Sequence, residues 1–319
     1  MAKEKTITVR NWIAYWSTKQ HPYVKDSTYA TYMNIIFNHI LPYFGEMKLQ
    51  DICYNKNQEF IWYLSQNGRL DKTGGLSSKT IKDILALWLS ILSDAEKEIH
   101  ITIPSGKYKY PISNQEEKNK FLSIPQEHQI VSFLKNNITI KNLGILLALS
   151  TGIRIGELCA LQWDAINMES GTISISKTLQ RIYTKDGDNG TSKIIITTPK
   201  SKKSIRIIPI SQKMIKLLEA FQKSNDTYFL TGVENKYIEP RVYREYYNRL
   251  MNKHNMHYVS FHGLRHTFAT RCIEAGCDYK TLSEILGHAD VGTTMRLYVH
   301  SDIEKKRDYI EKMHTLNDL

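Results

Sequence analysis

From Ile103 to Ser123 the sequence runs IPSGKYKYPISNQEEKNKFLS, with two prolines, a cluster of charges and no apolar period. Such a stretch reads as a linker. It therefore divides the 319-residue chain into two parts, each of which has to bury apolar side chains of its own. The expected organisation is a helical domain over residues 1–103, a linker over 104–124, a mixed domain over 125–301 and a tail helix over 302–319.

The first part reads as four helices. Ile7, Trp12, Ile13 and Trp16 mark the first, and Ser27 is the expected cap of a second that carries Tyr29, Tyr32, Ile35, Ile36 and Ile40 until Pro42 stops it. Phe60, Ile61 and Leu64 line a third, which Asn67-Gly68 ends. Ser77 or Ser78 opens the fourth, where Ile81, Ile84, Leu85, Trp88, Leu89 and Leu92 follow helical spacing. Lys25, Lys79 and Lys82 stand on the polar faces of this bundle. Each can be a solvated side chain or a contact to a phosphate.

The second part opens with Pro125 in a first helical turn, followed by an apolar helix over 142–149 and the turn Ser150-Thr151-Gly152. Arg154 then stands at a helix start, where free backbone N–H groups also favour an anion; pairing with Glu157 is the competing explanation. GTISISK alternates as a strand with Ile173 and Ile175 on one face, and LQRIYT is expected to continue its sheet. KIIITTPK and SIRIIPI read as two further strands of a hairpin whose tip holds Lys200, Lys202 and Lys203, either solvated or able to donate a proton. Helical patterns return at Met214, Leu217, Leu218 and Phe221, and over 240–251 with Val242, Tyr246 and Leu250 inward and Arg241 and Arg244 as candidate DNA contacts. The fold class is mainly α with a small antiparallel β-sheet.

Residues 260–300 gather cations and two phenols, Tyr279 and Tyr298, with few acids. His262 and Arg265 fall one turn apart near a helix start, so the pair can reach one oxyanion. A second helix ends at Gly287 with His288 just past the stop, and Tyr298 closes a short helix or turn ten residues on. Taken singly, a structural histidine or a packed tyrosine explains each; the combination suits a phosphodiester. Composition agrees: 43 Lys and Arg against 32 Asp and Glu leave +11, with a pI of about 9.2, which selects a polyanionic partner. The start lacks the apolar stretch of a signal peptide and no run approaches the ~18 residues of a membrane span, so a cytoplasmic protein without membrane contact is expected. Cys53, Cys159, Cys272 and Cys277 lack ligand-pair spacing and are expected to be buried, reduced thiols.

With TGIRIGEL, HGLR, LGH and TTMRLYVH in hand, the sequence resembles the tyrosine site-specific recombinases, the phage-integrase family. The resemblance implies an N-terminal four-helix core-binding domain and an α+β catalytic domain. It also implies catalytic Arg154, Lys200, His262, Arg265 and His288 around the nucleophile Tyr298, which forms a 3′-phosphotyrosyl bond. Lys200, in TPKSKKSIRIIP, would protonate the leaving 5′-hydroxyl, with Lys202 and Lys203 crowding it as further DNA contacts. Double-stranded DNA with specific recombination sites, a homotetramer on paired sites and an accessory DNA-bending or directionality protein are the partners this implies. No cofactor or metal is called for, and because no carboxylate cluster accompanies the motifs a metal-dependent nuclease is disfavoured. About six residues precede the first helix, which leaves no room for the family's arm-binding domain. Two other readings stay open: a type IB topoisomerase-like nicking-closing enzyme, and a non-catalytic DNA-binding regulator on the same fold.

Overall fold

Thr8 accepts the N–H of Asn11 and so starts α1 (Val9–Gln20), the first element of the computed structural model. The structure describes residues 7–104, 106–112, 121–186, 189–198, 202–288, 290–298, 307 and 310–311. It divides into two compact units, residues 1–116 with 181–194, and residues 117–180 with 195–319.

In the first unit α2 (Asp26–Ile35) begins after Lys25 rather than Ser27, with no side-chain cap. It does not stop at Pro42. The chain passes through a π-helical turn (Ile36–Ile40) into α3 (Leu41–Phe44), where Pro42 falls in the first turn and gives up a donor that has little use there. Next come α4 (Tyr54–Asn67) and α5 (Ser78–Ile99), capped by Ser77. Trp88 is the pin of the core: its ring stacks on Phe44 with centroids 4.7 Å apart, and its indole N–H donates to Asn57 Oδ1 at 2.9 Å. The Asn57 amide in turn donates to the Tyr108 hydroxyl at 2.9 Å, while Gln58 and Lys109 exchange two bonds of 2.9 Å. The front half of the expected linker therefore lies along the bundle and closes its core; residues 113–120 lie outside the described residues.

The second unit opens with a capping box in which Ser123 and Gln126 exchange bonds at the head of α6 (Ile124–Asn136). After α7 (Ile140–Thr151) and α8 (Ile155–Ala160), a three-stranded antiparallel sheet forms in the order β1 (Ile166–Asn167), β2 (Thr172–Ile175), β5 (Arg206–Pro209). Ile173 pairs with Ile208, and Ile175 with Arg206. Between β2 and β5, β3 (Thr178–Asp186) and β4 (Asn189–Thr197) make a separate two-stranded sheet. This corrects two expectations: LQRIYT does not extend the first sheet, and KIIITTPK pairs with β3 rather than with SIRIIPI. The outer part of β3–β4 belongs to the first unit, where Asn34 donates to Tyr183 O at 3.1 Å and Lys193 meets Asp26 at 3.3 Å.

The helices α9 (Gln212–Glu219), α10 (Pro240–Lys253), α11 (Phe261–Glu274), α12 (Tyr279–Leu286) and α13 (Val291–Tyr298) complete the second unit. The inward stripe of α10 is displaced by one residue from the expected one, burying Tyr243, Tyr247 and Met251 and leaving Val242 exposed. Three phenols decide this, because Tyr243, Tyr246 and Tyr247 bond Lys141 O, Asn142 Oδ1 and Val259 O. The four cysteines are free thiols, but only Cys159 is buried, Cys272 and Cys277 being partly so and Cys53 exposed. Burial pushes the Cys272 thiol up to about 11. Among the described residues no helix is long and apolar enough to cross a membrane. Of the expected tail helix, Arg307, Ile310 and Glu311 are helical, and the rest lies outside the described residues.

Truncating Trp88 to Ala is expected to cost about 3–5 kcal/mol, the range for a large buried aromatic. Urea unfolding followed by circular dichroism should show a transition of the bundle moved to lower denaturant.

Candidate active site

The last turn of α12 organises the site. Gly287 adopts a left-handed conformation (φ 66°), and the N–H groups of Gly287 and His288 return to the carbonyls of Glu284 and Ser283. That closes two of the carbonyls a helix end leaves free and exposes the next three. Each takes a guanidinium: Ile285 O accepts Arg206 Nε at 2.6 Å, Leu286 O accepts Arg265 Nη2 at 2.7 Å, and Gly287 O accepts Arg154 Nη2 at 3.1 Å. The negative end of the helix dipole thus holds three cations drawn from β5, α11 and the start of α8. A Cβ on Gly287 would lie 2.9 Å from Arg206 Cδ, so glycine is required both for the turn and for the packing.

The C-terminus of α7 supplies a second anchor. Gly152 is also left-handed (φ 65°), and its carbonyl accepts Arg265 Nη1 at 2.8 Å. Arg265 is 2% exposed and spans the ends of two helices. A Cβ on Gly152 would meet Phe268 at 2.6 Å and Leu286 at 2.8 Å, which is why the turn can sit so tightly on α11 and α12.

Glu157 is the carboxylate of this cluster. It accepts the Arg154 backbone N–H at 3.0 Å and Arg154 Nη1 at 2.8 Å, and meets Arg206 through Nη1 at 3.0 Å and Nη2 at 2.8 Å. Burial pushes its carboxyl up, but the hydrogen bond and charge of Arg206 and then the charge and N–H of Arg154 outweigh this and hold it below the usual range. Both explanations offered for Arg154 therefore apply, since it pairs with Glu157 and stays about one-third exposed. Three guanidiniums against one carboxylate leave two positive charges among these residues.

The two histidines add donors without adding charge. Burial, followed by the positive neighbours His266, Arg265 and Arg154, lowers His262 to about 4. Burial, then Arg265, Arg154, Arg206 and His262, lowers His288 to about 4. Both rings are neutral at pH 7. His262 meets His266 edge-on at 4.8 Å, and His288 Nδ1 lies 2.7 Å from Thr294 Oγ1.

Arg154, His262, Arg265 and His288 are thus brought together in one unit. Tyr298 is the last residue of α13, which packs on α12, and its side chain lies outside the described residues, as do Lys200 and the side chain of Lys202. Lys25, Lys79, Lys203, Arg241 and Arg244 are exposed, Lys82 lies 5.1 Å over the Tyr110 ring, and Arg241 pairs with Glu245 at 3.1 Å. Sequence reasoning missed Arg206, His266 and Thr294. For Arg206 the signal was ambiguous: the arginine is in step with Ile208 and Ile210 along an alternating strand, but Ile205 and Ile207 alternate equally well in the opposite sense.

Residues 120–305 match the Phage integrase family and residues 8–65 match "Phage integrase, N-terminal SAM-like domain". The chain belongs to the phage integrase family. Relatives in that family include proteins named tyrosine recombinases and integrases. It is 27% identical to the ICEBs1 integrase of Bacillus subtilis, over 92% of this chain and 78% of that one. It is 32% identical to a XerC-like tyrosine recombinase of Caldanaerobacter subterraneus over 54% of this chain, an alignment spanning about half (48%) of that relative. Its fold matches that of the Tn1549 transposon integrase (residues 82–397) solved with a circular intermediate DNA: TM-score 0.76, 21% identity, 96% of this chain and 99% of that one.

Two outcomes follow from this geometry. Arg206→Met breaks a buried pair and should cost about 3–5 kcal/mol in urea unfolding. Because both histidines titrate near 4 when folded and near the ordinary 6.5 when unfolded, the unfolded chain takes up protons first as pH falls. Their share of stability is fully present above about pH 6.5 and drains away towards pH 4. His288→Gln should flatten that slope, measured as unfolding free energy against pH.

Proposed function

We propose that the chain is the integrase of a mobile DNA element, cutting and rejoining duplex DNA at specific sites through Tyr298. The observation that carries the reading is the convergence of three guanidiniums, Arg154, Arg206 and Arg265, on one helix end, where hydrogen bonds join them to backbone carbonyls and to the carboxylate of Glu157. Attack on a phosphodiester takes phosphorus from one negative charge to about two on its non-bridging oxygens, and fixed guanidiniums match that increase. Neutral His262 and His288 contribute one N–H each. In this reading Tyr298 gives its phenolic proton to the unprotonated ring nitrogen of neutral His262 as its oxygen attacks phosphorus; a 3′-phosphotyrosyl bond forms and the bond to the 5′-oxygen breaks. Lys200 gives its proton to that oxygen, which leaves as a 5′-hydroxyl. A 5′-hydroxyl from the partner duplex reverses the step, so no ATP is consumed.

Two duplexes exchanged by this route suffer four strand cuts, and each chain has one Tyr298, so the working assembly is a homotetramer on paired sites, its tail helix exchanged between subunits. The first unit and α10 hold the DNA, through Lys25, Lys79 and Lys82 and through Arg241 and Arg244, with Lys202 and Lys203 beside the catalytic lysine. An accessory DNA-bending protein would set direction. Likeness to the ICEBs1 integrase and to the transposase of transposon Tn916 supports integration and excision over simple relaxation.

A nicked suicide duplex, carrying a site recovered by binding selection from random DNA, should trap the wild-type chain covalently. Tyr298→Phe should bind the same duplex and trap none; trapping by the Phe variant places the nucleophile elsewhere. A two-site plasmid separates recombination from relaxation of a single site, the outcome a topoisomerase-like enzyme would give.

A further inference from the structure

Thr294 is 0% exposed, yet its hydroxyl is spent on a single side-chain bond, 2.7 Å from His288 Nδ1. It sits in α13, one helical turn before Tyr298. His288 is fixed from the other side by its backbone, whose N–H closes the α12 turn on Ser283 O at 3.0 Å. Among the described residues the other nitrogen, Nε2, has no hydrogen-bond partner, and its role depends on which partner gives the proton at Nδ1.

We infer that Thr294 is a positioning residue: its hydroxyl donates to His288 Nδ1, which holds the ring as the Nε2–H tautomer and makes Nε2 a donor to a phosphate oxygen. This rests on the phosphodiester reading of the site and deepens it. Arg154, Arg206 and Arg265 surround the ring with positive charge, so an anion is the group that completes the cluster, and an anion needs a donor. The opposite tautomer would turn a lone pair towards it. Thr294 also rides on the helix that carries Tyr298, so the ring is set only while α13 is docked. The bond thereby links presentation of the nucleophile to assembly of the phosphate site, and an undocked α13 leaves both undone.

The test uses the full-length chain. Nitrogen-15 NMR of histidine-labelled protein reads the tautomer directly. Wild type should show the proton on His288 Nε2, with Nδ1 shifted as a hydrogen-bond acceptor, and Thr294→Val should lose that shift. Single-turnover trapping on the nicked duplex should then slow by on the order of tenfold in Thr294→Val with DNA affinity unchanged, the penalty of one buried unmade bond. Thr294→Ser should restore both readouts. On a His288→Gln background, Thr294→Val should add nothing, because the two act as one unit. A proton on Nδ1 in wild type, a Val variant that cleaves at the wild-type rate, or full additivity with His288→Gln would each overturn the inference. If wild type itself forms no adduct, the functional reading fails, and the tautomer measurement still decides the role of Thr294.

Discussion

Three carbonyls at the end of one helix hold the catalytic unit together. An α-helix ends with acceptors it cannot satisfy, and most helices leave them to water. Here the left-handed turn at Gly287 uses two and turns the next three towards arginines from three different elements. A guanidinium is costly to bury, and partner carbonyls at a helix C-terminus compensate it without cancelling its charge as a carboxylate would. That distinction matters for function. A site neutralised by acids would have no field left for a phosphate, whereas one built on backbone dipoles keeps most of its positive charge aimed at the ligand. Glu157 is the exception: one carboxylate is shared by Arg154 and Arg206 and tethers both.

The same logic explains the histidines. Burial, and after it the positive charge already present, disfavours a fourth and fifth cation and lowers His262 and His288 to about 4. They supply directed N–H groups and no extra charge. A neutral ring, however, has to choose which nitrogen carries its proton, a choice that a charged ring never faces. Geometry at Nδ1 is therefore as consequential as the field.

Much of this was legible in the sequence. The helices of the bundle and the Gly287 stop follow from spacing and turn chemistry, whereas the grouping of Arg154 with His262, Arg265 and His288 came from the family resemblance, because spacing left each with a structural alternative. What the sequence hid was phase. Around β5 the run Ser204 to Ile210 alternates equally well in either sense, with isoleucines at 205 and 207 or at 208 and 210. Apolar patterning alone cannot place the arginine, and a one-residue change flips every side chain. The fold exposes Ile205 and Ile207 by 50% and 67% and turns Arg206 inward, because the gain at Glu157 and Ile285 O outweighs two exposed isoleucines. The same ambiguity misplaced the inward stripe of α10 by one residue, where hydroxyl partners for its tyrosines decided the matter. Pairing of β4 with β3 was hidden for another reason: strand partners are long-range choices, and Lys-rich connections suit a hairpin tip and a crossing between sheets alike.

One consequence of this construction concerns control. Strand β5 follows directly on the segment that carries Lys200, and Arg206 near its start is tied both to Glu157, hence to Arg154, and to the α12 turn that presents His288. At the other side α13 leads from the same turn to Tyr298, with Thr294 bonded to His288. The elements on both sides of the site are therefore tied to the one α12 turn, β5 through Arg206 and α13 through its packing on α12 and the His288–Thr294 bond, so a change at that turn reaches both.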